Sequence, residues 1–339
     1  MINIGVIGFG YWGPNLARNL SQAAGGKLTA ISDLNPKARA KAERLHPSTA
    51  VLDDPLRLIA MKEVDAVAIA TPVSTHFDLA LAALQAGKHV LVTKPMTATT
   101  EQAQRLINEA QKKGLTLMVD HTFVYSGPVR KIKELAAKDL GDLYYYDSVR
   151  VNLGLFQHDV DVLWDLAVHD LSIMDFVLAS QPRAISATGV SHVKGGMINT
   201  AYLTAFFDNN LIGHIHANWL SPVKLRRTLI GGSRKMIVYD DTEVSEKVKV
   251  YDRGITVAES PEQVYHQLIG YRSGDMWAPH LDITEALQVE ADHFTDCIQK
   301  KARPITDGEA GLRTVRLLEA ATRSIKEHGR PVELAAAGV

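Results

Sequence analysis

The amino-acid sequence predicts an α/β protein in two parts: a doubly wound parallel sheet, then a domain with an antiparallel or mixed sheet and its helices gathered on one face. Three observations predict it. Strand-like and helix-like segments alternate from Met1 to about Asp120, the pattern of βαβ units. The first strand runs directly into Gly8-Phe9-Gly10-Tyr11-Trp12-Gly13, and a helix follows. From Arg183 to Tyr251, strand-like runs succeed one another without helices between them. The pattern changes after Asp120, so the boundary falls near residue 122 and divides the chain into 1–122 and 123–339.

Length and composition narrow the class. A chain of 339 residues, 46% of them hydrophobic, has the length of about two domains and enough apolar side chains for a substantial core. A net charge of -1, with acidic and basic residues interspersed, leaves no electrostatic footprint for nucleic acid. The single cysteine, Cys297, excludes an internal disulfide. No apolar run approaches the ~20 residues of a membrane helix. The chain opens on a core strand without a basic, cleavable leader, so a soluble cytoplasmic protein is expected.

In the first domain, strands are expected near 2–7, 27–32, 65–70, 88–92 and 115–119, and helices near 13–24, 36–45, 76–86 and 99–113. Gly8 permits the tight turn after Ile7, Gly10 lets the backbone approach a pyrophosphate, and Gly13 allows close packing of helix on strand. The helix N-terminus then faces the phosphates, with Tyr11 and Trp12 in the same loop. Asp33 ends the second strand about 20 residues beyond the glycines, where a carboxylate accepts ribose hydroxyls and repels a 2′-phosphate, which favours NAD over NADP. Asp33-Leu34-Asn35-Pro36 also reads as a helix start, so a capping role is open to the same residue.

The strand ending at Ala70 stops on Thr71-Pro72, with His76 early in the next helix, and the strand through Val90 to Val92 stops on Thr93-Lys94-Pro95. Proline restricts the residue before it to extended conformations, which aims Lys94 at the carboxyl edge of the sheet, where open α/β sheets bind ligands. Gly8, Thr71 and Lys94 thereby converge on one edge. His76 reads equally as a cofactor contact and as a capping residue.

Beyond the boundary, a helix near 126–138 precedes a strand from Leu143 to Val151, and a helical stretch follows from about 159 to 178. Helices near 284–300 and 308–327 finish the chain, and Arg253 to Pro279, rich in Gly, Pro and polar residues, reads as an excursion across the surface. His158, Asp161, Asp165 and His169 would share one face of the long helix. Such a face can bind a metal, do acid–base chemistry or make salt bridges. Neither HExxH nor a cysteine cluster accompanies it, so no metal site is assigned. The acid–base reading rests on Asp165 and His169, one turn apart, a carboxylate that can orient an imidazole matched to proton transfer near neutrality.

The glycine loop, Asp33, ATPxxxH at 70–76, KP at 94–95 and DxxxH at 165–169 together resemble the Gfo/Idh/MocA family of sugar and cyclitol oxidoreductases, in that order and over the whole chain. The resemblance implies an N-terminal Rossmann domain that binds NAD, and a C-terminal α+β domain with a large open, mainly antiparallel sheet. It implies that Gly8, Gly10, Tyr11, Trp12, Gly13 and Asp33 meet the cofactor, together with Thr71, Pro72, His76 and Lys94. In the implied chemistry His169 takes the proton from a sugar hydroxyl, Lys94 hydrogen-bonds the oxygen and Asp165 orients the site. Tyr125, Arg150 and Asn152 join His169 as expected substrate contacts, a core role being equally open to Tyr125.

The family's open sheet commonly meets another subunit, so His214, His216 and Asn218 are expected in the interface of a homodimer or homotetramer. Two departures stand out. Thr93 occupies the position before Lys-Pro that is commonly Glu, and Ser126 stands where many relatives carry Asn. GYWGPNLARN at 10–19, RVNLGLFQ at 150–157, LWDLAVHDLSI at 163–173 and TDGEAGLR at 306–313 look like the branch found in nucleotide-sugar biosynthesis. That branch implies oxidation at C3 of a UDP-N-acetylhexosamine or its uronate. An inositol or free-sugar dehydrogenase, an NADPH-dependent keto-sugar reductase and a catalytically silent NAD-binding regulator stay open beside it.

Overall fold

The computed structural model describes residues 1–154, 159–178, 180–257 and 269–334. His158 and positions 258–268 of the expected surface excursion lie outside the described residues. Two units emerge, and neither is continuous in sequence. The first comprises Met1–Ser126 and Ile283–Glu319, the second Gly127–Asp282 and Ala320–Val339.

The first unit contains a six-stranded parallel sheet built from β1 (Ile2–Ile7), β2 (Gly26–Ser32), β3 (Ala50–Leu52), β4 (Ala66–Ile69), β5 (His89–Thr93) and β6 (Leu117–Asp120). The order β3-β2-β1-β4-β5-β6 reverses direction beside β1, the switch point of a doubly wound sheet. Near-continuous burial explains the central strands: all four residues of β4 are buried, and a strand covered on both faces has no need of alternation. The connecting helices are α1 (Gly13–Gln22), α2 (Pro36–Leu45), α3 (Pro55–Ile59), α4 (Val73–Gln85) and α5 (Thr100–Lys113). Their ends follow local chemistry. The Asn35 side chain caps α2 at the Lys37 amide, and Thr99 caps α5 at Gln102. Gly114 closes α5 in the left-handed conformation at φ 63.

The last two helices, assigned by the sequence boundary to the second domain, are redistributed in the structure. α8 (Ala286–Lys300) packs on α1 and on the 3-10 turn Thr122–Tyr125, burying Leu287, Ala291 and Phe294. Arg18 of α1 makes a two-pronged ion pair with Glu285 at its start, at 3.0 and 2.6 Å. The edge of β6 is covered too: the Val119 amide donates to the Thr306 carbonyl at 2.8 Å. α9 (Gly308–Lys326) begins in the first unit and ends in the second. A boundary drawn from one change of pattern misses a chain that returns to its first core.

The second unit carries a nine-stranded mixed sheet. Its elements are α6 (Gly127–Lys138), β7 (Leu143–Leu153), a π turn at Leu163–Ala167, α7 (Val168–Val177), β8 (Ala184–Val190), β9 (Thr200–Phe206), β10 (Ile212–Asn218), β11 (Leu220–Gly232), β12 (Met236–Asp240) and β13 (Val248–Tyr251). Separately, β14 (Gly254–Val257) pairs antiparallel with β15 (Ile269–Arg272), and β16 (Met276–Trp277) and β17 (Val332–Glu333) are the outermost strands of the nine-stranded sheet. The order is β16-β13-β12-β11-β7-β10-β9-β8-β17, antiparallel except where β10 runs parallel to β7. Ala201, Leu203 and Ala205 of β9 are buried while Tyr202 between them is exposed, the alternation of a sheet packed on one face.

Under that sheet lies a polar network. The Asp170 carboxylate of α7 accepts from Arg150 Nε at 2.6 Å and from Ser148 Oγ at 2.6 Å, and Tyr146 donates to the Asp170 carbonyl at 3.2 Å. Burial works against the Arg150 charge, but the pull of Asp170 outweighs it and raises the guanidinium pKa. Removing one partner strands the other charge in the interior. Asp170→Ala is therefore expected to cost about 3 kcal/mol of stability, whereas Arg150→Met with Asp170→Leu recovers most of that loss, as read from urea unfolding.

Candidate active site

The dinucleotide loop is shaped by three glycines with different demands. Gly8 sits at φ +91, and a Cβ there would come within 2.6 Å of the Ala70 carbonyl oxygen. A Cβ on Gly13 would approach the Gly8 carbonyl oxygen to 2.0 Å, so only glycine lets α1 begin against β1. Gly10 faces open space, with nothing within 4 Å of a Cβ position. Bare backbone beside a helix N-terminus leaves room for a phosphate group to approach the amides. Tyr11 is 87% exposed and Trp12 is the N-cap residue of α1.

Asp33 closes the loop from the side. Its Oδ2 accepts from the Phe9 amide at 2.6 Å and its Oδ1 from the Asn35 amide at 2.7 Å. Asn35, and not Asp33, caps α2, which resolves the two roles open in the sequence. Each Asp33 oxygen keeps a lone pair for a ribose hydroxyl. Arg39 donates to the Asp33 and Leu34 carbonyls, fixing the turn.

At the ends of β4 and β5 the structure corrects the reading of His76. The imidazole is 1% exposed, with Nε2 2.8 Å from the Thr71 carbonyl and Nδ1 2.9 Å from the Pro95 carbonyl. It braces two strand ends to each other and presents no face to a cofactor. Thr93 belongs to the same brace, its hydroxyl 3.3 Å from His76 Nε2, so the residue that replaces the familiar Glu has a partner of its own. Lys94 follows, half-buried at the carboxyl end of β5 beside a cis peptide to Pro95. Thr71 accepts from the Thr75 hydroxyl at 2.7 Å, and Pro72 lies exposed before α4.

Tyr125 is likewise corrected. It is 2% exposed, bonded through its hydroxyl to Thr306 Oγ1 at 2.8 Å and packed near His293, which makes it core of the first unit and no pocket wall. Ser126 turns back to the Phe123 carbonyl. Sequence reasoning passed over Asp120, which ends β6 as Lys94 follows β5: its Oδ2 accepts from the Trp12 indole at 2.6 Å and its Oδ1 from Thr122 at 2.5 Å. Its position at a strand's carboxyl end was the available signal. Glu290 of α8 is fully buried beside it.

In the second unit, the helical stretch is not one regular face. Asp161 starts it by accepting from the Leu163 and Trp164 amides at 3.0 and 3.2 Å, while burial raises its pKa against those bonds. A π turn then spans Leu163–Ala167, an irregularity frequent at functional sites. Asp165 lies inside it and accepts from the indole of fully buried Trp219 at 3.1 Å, a partner 54 residues away that spacing could not reveal. His169 is half-buried in the first turn of α7. Arg150, 3% exposed, is committed to Asp170, which replaces its expected substrate contact; Asn152, two residues on, is half-exposed. Among the described residues, no group of three or more His, Cys, Asp or Glu side chains could hold a metal ion. No helix among them is long and apolar enough to cross a membrane.

The glycine loop and strand ends match known proteins. Residues 2–121 match the family model described as an oxidoreductase family with an NAD-binding Rossmann fold, and residues 130–238 match the Gfo/Idh/MocA C-terminal domain. The chain belongs to the Gfo/Idh/MocA family of NAD-binding oxidoreductases. Among individual proteins it is similar to UDP-N-acetylglucosamine 3-dehydrogenase of Acidithiobacillus ferrooxidans, at 29% identity across 92% of this chain and 93% of that one. A crystal structure of that dehydrogenase, GnnA, aligns with a TM-score of 0.81 at 26% identity, covering 96% of this chain and 98% of the other. Myo-inositol 2-dehydrogenase of Thermotoga maritima is 25% identical across 96% of this chain and 97% of its own. The bare backbone at Gly10 and the carboxylate of Asp33 are chemically compatible with NAD: the glycine loop and the start of α1 would hold the pyrophosphate and Asp33 the ribose.

Glu290 gives this unit a pH signature. Burial first, and then the neighbouring Asp120, push its pKa well above the ordinary 4.5. The folded chain therefore holds a proton that the unfolded chain releases, and stability falls as pH rises above 4.5 toward the raised value. Glu290→Gln removes that dependence. Its melting temperature is expected to exceed that of wild type by a margin that widens from about pH 5 to about pH 8 in calorimetry; parallel profiles would mean the carboxyl ionises in the fold.

Proposed function

We propose that the protein is an NAD-dependent dehydrogenase that oxidises the C3 hydroxyl of a UDP-N-acetylhexosamine, or of its uronate, to the ketone. The observation that carries the chemistry is His169 one turn beyond Asp165, whose carboxylate is held by the Trp219 indole. An imidazole placed by a fixed carboxylate suits removal of a hydroxyl proton near neutral pH. Support for the substrate comes from the near full-length likeness to UDP-N-acetylglucosamine 3-dehydrogenase.

In this reading NAD, when bound, supplies the acceptor for the hydride that leaves the carbinol carbon. His169 takes the hydroxyl proton, so that no free alkoxide accumulates, and Lys94 hydrogen-bonds the oxygen and offsets the charge that develops there. Asp165 orients His169, and Asn152 is proposed to meet substrate hydroxyls. Tyr11, Trp12, Thr71 and Pro72 are proposed around the cofactor with the glycines and Asp33.

The test incubates purified protein with UDP-N-acetylglucosamine, its uronate and myo-inositol, with NAD and 2-oxoglutarate present to recycle tightly held NADH, and reads products by mass spectrometry. One nucleotide sugar is expected to lose about two daltons, and general-base loss in His169→Ala to lower turnover by roughly 10²–10⁴-fold, with Lys94→Ala impaired as well. Oxidation of myo-inositol alone would move the assignment to an inositol dehydrogenase.

We further propose a homodimer or homotetramer joined through the open face of the sheet. Tyr202 stacks on His216 with ring centroids 4.4 Å apart, and lies 6.3 Å from His214, on adjacent strands of that face. Burial and then His214 lower the His216 pKa, which favours a neutral ring able to be covered. Sedimentation is expected to give more than one copy per particle, and His216→Glu to shift the particle toward monomer; a monomeric wild type would refute the interface.

A further inference from the structure

One part-buried contact in the first unit ties the dinucleotide loop to the far edge of the sheet. The Trp12 indole Nε1 donates to Asp120 Oδ2 at 2.6 Å. Trp12 lies in the loop after β1 and Asp120 ends β6, two strands with β4 and β5 between them. At about 4.8 Å per strand, the two strand ends are roughly 14 Å apart. The indole from one side and the carboxylate from the other close that span.

The acceptor is itself held. Asp120 is 2% exposed, Thr122 Oγ1 donates to its second oxygen at 2.5 Å, and fully buried Glu290 faces it from α8. Burying a carboxylate is costly unless it is hydrogen-bonded, so so enclosed a group implies fixed partners, and Trp12 is one of them. Trp12 in turn starts α1. Its side chain makes no cap bond to the helix, while its carbonyl accepts from the Asn15 and Leu16 amides at 2.9 and 3.3 Å. Wherever the indole is pinned, the helix N-terminus and the Gly10–Gly13 turn are pinned with it.

We propose that Asp120 is a positioning residue of the NAD site: by holding the Trp12 indole it fixes the dinucleotide loop and the first turn of α1 in the arrangement that receives the pyrophosphate. The proposal rests on NAD binding by this unit and is independent of which sugar is oxidised. Asp120 acts through Trp12 and touches no reacting atom. Its effect falls on cofactor affinity.

The experiment is a double-variant cycle on the full chain, with NAD affinity read by isothermal titration calorimetry in the absence of substrate and folding checked by near-ultraviolet circular dichroism. Asp120→Ala and Trp12→Phe are each expected to weaken NAD binding about tenfold, and the combined variant to be no weaker than either alone. Asp120→Asn, which keeps an acceptor for the indole, is expected to stay within about threefold of wild type, a rescue that general loosening would not give. Unchanged affinity in folded Asp120→Ala, or additive losses in the double variant, overturns the proposal. If Asp120→Ala does not fold, Asp120→Leu, which is closer in volume and accepts no hydrogen bond, takes its place in the same cycle: affinity within about twofold of wild type, or losses additive with Trp12→Phe, overturns the proposal. A wild-type chain that bound no NAD would refute the cofactor assignment instead.

Discussion

The Gly8 carbonyl and the start of α1 share a space too small for a side chain: a Cβ on Gly13 would stand 2.0 Å from that oxygen. This close approach sets the position of everything around the cofactor loop. It lets the helix begin directly at the carboxyl edge of β1, where its unpaired amides and dipole face outward. Beside it, Gly10 is bare toward open space, and the Phe9 amide donates to Asp33, the residue that follows β2. A methyl group on Gly13 would push the helix start away from the end of β1.

Around that constraint the carboxyl edge is stiffened by polar side chains acting on backbone. His76 links the carbonyls of Thr71 and Pro95, Thr93 adds its hydroxyl, and Asp33 gathers the Phe9 and Asn35 amides. The contacts of His76 with Thr71 and Pro95 and of Asp33 with Phe9 give partly or fully buried polar groups a partner and fix one strand end relative to another. Catalytic geometry tolerates little misplacement, so residues that never touch a ligand still govern whether one is held well. In the second unit, Trp219, between β10 and β11, holds the Asp165 carboxylate, and Asp170 holds Arg150 inside the core.

The π turn at Leu163–Ala167 shows how the local pattern can mislead. Four acidic and histidine side chains spaced for one helix face suggested a single polar stripe. The wider turn breaks that stripe, Asp161 is used up in starting the segment, and Asp165 and His169 are left as the pair one turn apart. Similar reassignments befell Tyr125 and Arg150. Both carry a polar group at the tip of a large side chain, and such residues serve equally well in a core with a partner or at a surface with a ligand.

The sequence by itself determined the parallel sheet, the strand ends that carry Gly8, Thr71 and Lys94, and the place of Asp33 after β2. These follow from short-range rules: apolar runs make strands, glycine permits turns, proline ends a strand, and all act within a few residues. Only the tertiary structure decided that α8 returns to the first unit, that His76 is a brace, that Trp12 reaches Asp120, and that Trp219 holds Asp165. The hydrogen bonds of His76 to Pro95, Trp219 to Asp165 and Trp12 to Asp120 join residues 19, 54 and 108 positions apart, and such a bond between distant residues leaves no periodicity in the chain that makes it.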